Sequence, residues 1–245
     1  MNLLIYGEPG SGKTYFGGTA VDHPSTGPLL VVDVEGGTAT LRGKNVDVVQ
    51  VRTMSQIEDI HKELANDTTN YYKTVFIDSL TELQKLDMRT VMMEQWNKKP
   101  DTTDIYVPSQ REWGKSGERV RMVVRAFRDL KMNTIVSALL NSDKDDKTGL
   151  VSYYPSLPGK LRSEIPGFFD IVGLLTTYTH TDDGVVTIDR QLQVVKTERV
   201  SAKDRFSALG TIVQKPTVPM LWDMIHKPTT GLQEAVIALT QGEGT

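Results

Sequence analysis

The chain has no cysteine. Disulfides, a thiolate nucleophile and a thiolate metal site are therefore all excluded. Histidine is scarce too, and the 4 present are scattered without zinc-ligand spacing. No apolar stretch approaches the roughly 20 residues needed to cross a bilayer, and no signal-peptide pattern stands near the amino terminus. The expectation is a protein neither exported nor membrane-spanning, and hence cytoplasmic. Neither charge sign is in large excess: the net charge of −3 rules out a generally basic nucleic-acid coat and confines any such contact to a local groove.

What remains is an ordinary soluble composition, 38% hydrophobic and 24% charged over 245 residues, enough to bury one substantial core. Apolar runs rich in β-branched residues at 2–6, 29–34, 47–51, 74–78 and 133–140 read as strands. They alternate with helical stretches at 13–21, 55–66, 80–96 and 111–131. Such alternation predicts an α/β fold, a mainly parallel sheet flanked by helices on both faces. Further on, strand-like 170–181 and 185–197 flank Asp182-Asp183-Gly184 and predict a β-hairpin extension. A helix is expected near 232–240. The whole reads as a single domain over 1–240, with a core over about 1–165, the hairpin and helices over about 166–240, and a flexible tail at 241–245.

Directly after the first apolar run comes Gly7-Glu8-Pro9-Gly10-Ser11-Gly12-Lys13-Thr14, a complete G-x-x-x-x-G-K-[ST] loop. Each part has a physical job on a nucleoside triphosphate. The glycines let backbone N–H groups curl around phosphates, Lys13 supplies a compact positive charge, and the Thr14 hydroxyl can complete a Mg²⁺ shell. A helix starting at Gly12 adds its positive end. The nucleotide-binding set therefore reads from Gly7 through Tyr15.

A phosphate loop of this kind needs a carboxylate at the end of a neighbouring buried strand, and Thr74-Val75-Phe76-Ile77-Asp78-Ser79 supplies Asp78 to hold Mg²⁺ through water. The competing reading is that Asp78 caps the next helix, where Ser79 and Glu82 form an S-x-x-E capping box. Hydrolysis also needs a group to orient or deprotonate water. Ser79 occupies the place after Asp78, so the base is sought in Val31-Val32-Asp33-Val34-Glu35-Gly36-Gly37, with Glu35 the first candidate and Asp33 the second.

This combination resembles the RecA-like ATPase core and, more closely, the phage-encoded core-only RecA-like single-strand annealing ATPases. The resemblance is carried by Gly7 to Thr14, Val32 to Gly37, Val75 to Ser79, Trp113-Gly114, Pro158-Gly159-Lys160, Phe169 to Gly173 and Ala202-Lys203-Asp204-Arg205-Phe206. It implies ATP and Mg²⁺ as cofactors, hydrolysis at interfaces of a homo-oligomer (filament or ring), single-stranded DNA as partner, a single-strand-binding protein as companion, and the cytoplasm of a bacterial host. It also implies a sensor ending the strand after Asp78, for which Asn141 is the candidate. A basic residue donated in trans is implied as well; Lys203 and Arg205 lead the group Lys196, Arg199, Lys203 and Arg205.

Two segments mix cations with aromatic faces suited to single strands. Residues 97–117 offer Lys98, Lys99, Arg111, Lys115 and Trp113; residues 142–162 offer Lys160, Arg162, Tyr153 and Tyr154. A structural role for Trp113 as a core anchor is the alternative. Two other functions fit the phosphate loop: a nucleotide-gated scaffold or helicase loader, and a P-loop small-molecule kinase.

Overall fold

The computed structural model describes residues 1–182 and 185–227. In chain order its elements are β1 (Asn2–Gly7), α1 (Lys13–Gly18), β2 (Leu29–Asp33), β3 (Asp47–Gln50), α2 (Met54–Asn66), β4 (Thr74–Asp78), α3 (Leu80–Lys98), α4 (Gln110–Arg128), β5 (Asn133–Lys144), β6 (Val151–Pro155), α5 (Leu161–Glu164), β7 (Ile171–Asp182), β8 (Val185–Gln193), β9 (Lys203–Asp204), β10 (Ile212–Gln214) and α6 (Val218–His226), with short 3₁₀ turns between some of them. The expected helix at 232–240, the tail at 241–245 and the tip Asp183-Gly184 lie outside the described residues. Among the described residues, no helix is long and apolar enough to cross a membrane.

Among the described residues, the strands join in a 10-stranded sheet whose main path runs β10-β8-β7-β1-β5-β4-β2-β3. From β7 through β3 every neighbouring pair is parallel, while β8 and β10 add antiparallel strands at the carboxyl-terminal side. Parallel strands joined by helices are buried on both faces. The sequence obeys this with period two. Leu4, Tyr6, Val32, Val75, Ile77 and Val136 enter one core with Ile57 of α2, Leu83 of α3 and Val124 and Phe127 of α4. Their neighbours Leu3, Ile5, Val31, Phe76 and Ile135 enter the other with Phe16 of α1 and Leu221 of α6.

Local signals set the helix starts. Thr53 and Gln56 form a reciprocal capping box at α2, and Ser109 and Glu112 form one at α4. At α3 only half of the expected box forms: Ser79 accepts the Glu82 N–H at 3.4 Å, while the Glu82 carboxylate turns to Lys85 at 2.7 Å. The second departure is β5, which runs to Lys144 and folds back through β6, pairing Leu140 with Pro155 and Lys144 with Val151. This hairpin projects beyond the point where β1 ends, since Gly7 stands opposite Leu139.

Candidate functional site

The carboxyl-terminal ends of β1, β4 and β2 converge because the parallel register aligns them. Asp33 pairs with Asp78 across β2 and β4, and the loop after Gly7 crosses the same edge. Gly12 has φ of 92°, left-handed backbone that a side chain resists, and a Cβ there would stand 2.1 Å from Arg190 Nε. Gly7 is equally confined, since a Cβ on it would stand 2.4 Å from the Leu175 carbonyl oxygen. The first-turn N–H groups of α1, from Lys13 onward, have no intrahelical acceptor.

Lys13 is buried, and its ammonium donates to the carbonyls of Gly7 at 3.0 Å and Glu8 at 2.9 Å. Burial lowers its pKa, opposed by the nearby carboxylates of Glu35 and Asp78. A buried cation that is short of negative charge suits a triphosphate. The Ser11 hydroxyl oxygen points the same way, being buried in the loop without a hydrogen-bond partner.

Asp78 is buried with both oxygens engaged: Thr14 Oγ1 donates to Oδ2 at 2.6 Å and Ser137 Oγ donates to Oδ1. The helix cap is therefore Ser79, and Asp78 faces the loop. Hard oxygen donors from Thr14 and Asp78 standing side by side are the chemistry Mg²⁺ takes, with phosphate oxygens and water filling the rest of its shell.

Asp33 and Glu35 separate cleanly. Asp33 is buried, and its Oδ1 accepts the N–H groups of Glu35 at 3.1 Å and Gly36 at 2.7 Å while Oδ2 takes the Thr38 hydroxyl at 3.4 Å. Its carboxylate is consumed in shaping the turn. Glu35 is exposed, its N–H also bonded to the Asp78 carbonyl, and it lies near enough to Lys13 to influence that ammonium's charge. Asp33 thus positions the turn, and Glu35 keeps a carboxylate available to a water at the cradle.

Other residues singled out from the sequence lie elsewhere. Asn141 is exposed on the β5–β6 hairpin, two residues past the level of Gly7, and its side-chain oxygen accepts the Ser142 N–H. The residue of β5 that touches Asp78 is Ser137. Lys203 and Arg205 lie by the Asn2 end of β1, opposite the cradle. Lys203 donates to the Phe169 carbonyl at 2.6 Å and the Gly167 carbonyl at 3.3 Å; Arg205 pairs with Asp170 at 2.6 Å. Burial, then the neighbouring Arg205, lowers the Lys203 pKa. Lys115 is paired with Glu94 and Arg162 with Asp143. Lys98, Lys99, Arg111 and Lys160 are exposed and make no ion pair with a described residue.

Sequence reasoning missed Arg190 of β8. Its Nε donates to the Ser11 carbonyl at 3.3 Å, and its guanidinium stands 4.9 Å from the centre of the exposed Tyr15 ring. Lys44 lies 5.9 Å from the same ring. Nothing in the local sequence marks Arg190. Only the pairing of β8 with β7, which sets Arg190 opposite Thr177, carries it to the loop. Thr81 was missed as well: buried at the start of α3, its hydroxyl accepts the Leu139 N–H at 3.0 Å and donates to the Ser156 carbonyl at 3.1 Å.

Comparison with known proteins agrees with this geometry. Residues 1–206 match the family described as AAA domain. No curated protein matches the chain. Among solved structures, the RadB recombinase aligns over 87% of this chain and 85% of its own, with a TM-score of 0.50 and 13% identity. The flagellar accessory protein FlaH from Methanocaldococcus jannaschii aligns over 83% and 82%, with a TM-score of 0.39 and 11% identity. The likeness to RadB establishes a RecA-like fold. With the family match covering most of the sequence, the chain belongs to the AAA domain family as a RecA-like P-loop ATPase.

Proposed function

We propose that the protein is an ATP-dependent, single-stranded-DNA-binding ATPase that promotes annealing or recombination as a homo-oligomer. The observation that carries this reading is a hydrogen-bonded line leading out of the nucleotide cradle. Ser137 holds Asp78; two residues along β5, Leu139 is bonded to Thr81; and Thr81 in turn holds Ser156, at the start of the turn that contains Pro158-Gly159-Lys160. A change at the metal-holding carboxylate is thereby linked to a segment bearing an exposed cation. RadB, a recombinase by name, is among the structures that share the fold.

Bound ATP with Mg²⁺ supplies the scissile phosphoanhydride and the charge that polarises it. Lys13, the first-turn amides of α1 and Arg190 bind the phosphates, and Thr14 and Asp78 hold the metal. Glu35 orients the attacking water and accepts its proton on a carboxylate oxygen, while Asp33 keeps the Glu35 turn in place. Lys203 and Arg205 act in trans only by giving up the contacts they make within their own chain. That requirement favours, as a second reading, a nucleotide-gated scaffold with slow turnover.

The deciding experiment is phosphate release by purified protein titrated with a single-stranded oligonucleotide, with Lys13→Ala as the control. Stimulated turnover that Lys13→Ala abolishes is expected. A rate indifferent to DNA overturns the DNA-linked reading, and ATP-driven oligomerisation without turnover points to the scaffold.

A further inference from the structure

Away from the nucleotide cradle, a cavity of about 420 Å³ opens between α3, α4 and the turn at 158–161. Its walls include Gln84, Trp113, Gly117, Arg121, Gly159 and Lys160. Three features distinguish it from a packing defect. Gln84 is 6% exposed, yet its side-chain Nε2 has no hydrogen-bond partner. A buried amide donor left unpaired is costly and calls for a partner from outside the chain. Trp113 keeps 42% of its surface exposed at the same opening. A large ring left in water is one that stacking would cover.

The third feature is the absence of side chains where a helix would welcome them. Gly114 and Gly117 are one turn apart on α4, and glycine is a weak helix former. A Cβ at Gly114 would meet nothing within 4 Å, and one at Gly117 only Arg121 at 3.6 Å and Leu161 at 4.0 Å. No described residue needs these positions to be glycine. They keep one wall of the cavity low.

The charge at the rim limits the occupant further. Arg121 is neutralised by Glu164 and Glu118, whereas Lys160 is exposed and pairs with no described carboxylate. One uncompensated cation beside a flat aromatic face and a single amide donor matches a ring with hydrogen-bond acceptors carried on a singly charged phosphodiester. A free triphosphate would bring more negative charge than this rim balances.

We propose that the cavity receives one base of single-stranded DNA. Trp113 stacks on its face, the Gln84 amide donates to an acceptor on its edge, and Lys160 meets the adjoining phosphate. The proposal rests on the DNA-binding reading above and assigns it a site. It also gives the Thr81 link an endpoint, because Ser156 leads directly into the cavity's Pro158-Gly159-Lys160 wall.

The test compares the unmodified protein with Trp113→Phe, Trp113→Ala and Gln84→Met, using a thymidine oligonucleotide and an abasic strand of equal length in the presence of ATP. Thermal unfolding verifies that each variant is folded. Addition of the thymidine strand should quench a fluorescence component that Trp113→Phe lacks, Trp96 and Trp222 remaining as internal references. Trp113→Ala should weaken binding about tenfold, in line with loss of one stacked base, and Gln84→Met should weaken it less. The abasic strand should bind weakly and be indifferent to both positions. Unchanged affinity and no Trp113 signal, with the strand still bound, overturn the cavity and leave the DNA reading standing. If the unmodified protein binds no strand, both fall. A thymidine monophosphate that quenches Trp113 while the strand does not overturns the assignment to DNA.

Discussion

The nucleotide cradle and the α3–α4 cavity use polar groups in opposite ways. In the cradle, polar groups of the chain satisfy one another: Lys13 holds two carbonyls of its own loop, Asp78 takes hydroxyls from α1 and β5, and Asp33 takes two amides and a hydroxyl of the turn that follows it. Among the buried side-chain groups of the loop itself, only the Ser11 hydroxyl is left over. At the cavity, Gln84 Nε2 is buried without a partner, and the Trp113 ring is left in water. The contrast teaches that the cradle is organised in advance of its ligand, as a site that stabilises developing charge has to be, whereas the cavity is completed by what enters it.

The sharpest way to break the comparison lies in Glu35, a cradle carboxylate that is not committed to a described partner. Glu35→Gln keeps the turn, because Asp33 bonds the residue 35 backbone and not its side chain. Turnover should fall by about two to four orders of magnitude, the range for loss of a general base, while ATP binding measured by calorimetry persists. Turnover near the unmodified rate would sink the assignment of Glu35. Next in size, Arg190→Ala removes a charged donor from the Ser11 carbonyl and the Tyr15 ring. ATP affinity should drop about tenfold, as expected for a hydrogen bond to a charged group, with partial recovery in Arg190→Lys. Equal affinity for all three proteins would make Arg190 merely a strut of the hairpin.

How far each site was legible follows from how local its constraints are. The cradle announces itself because a tight phosphate turn imposes glycine, lysine and threonine within eight consecutive residues. Parallel strands buried on both faces likewise show as unbroken apolar runs, which makes β2 and β4 easy to read. Asn141, the sensor candidate, does not reach Asp78 because β5 continues past the end of β1 into a hairpin and Ser137 takes that contact instead. Ser137, fully buried inside an apolar strand, reads in the sequence as a minor interruption. Arg190 was illegible for a different reason: strand pairing, not sequence distance, brings a residue 179 positions away onto Ser11. The cavity needs α3, α4 and a turn near residue 159 at once, and each segment alone reads as an ordinary helix or loop. The arginines of α4 show the same limit. Most of their partners lie on other elements, Arg119 being paired with Asp87 and Glu94 of α3 and Arg121 with Glu164 as well as Glu118.

If cradle and cavity are two halves of one device, the link between them can be cut without touching either. Thr81→Val keeps shape but leaves the Leu139 N–H and the Ser156 carbonyl without the hydroxyl that joins them. The ratio of DNA-stimulated to unstimulated turnover should fall about fivefold, at the lower end of ordinary coupling between sites. An unchanged ratio would show that the line of bonds is structural and that the two sites communicate by another route or not at all.

The smallest effect expected concerns the polar layer directly behind the cavity. Asp87 is fully buried one turn along α3 from Gln84, with Arg119 Nε at 3.0 Å and Ser116 alongside. Burial raises its pKa, outweighing Ser116 and Arg119, and the neighbouring Glu94 pushes the same way. A folded-state value above the unfolded one means that this group favours folding most at low pH, below the unfolded carboxylate range. That contribution is lost as pH rises through the folded value. Asp87→Asn cannot ionise and leaves Arg119 paired with Glu94 at 3.1 Å. Its unfolding midpoint should therefore match that of the unmodified protein in acid and exceed it at neutral pH by about 2–4 °C, the shift worth roughly 1 kcal/mol in a chain of this size. A lower midpoint at neutral pH would mean that the Arg119 ion pair outweighs desolvation. The layer behind the cavity would then belong with the self-satisfied cradle.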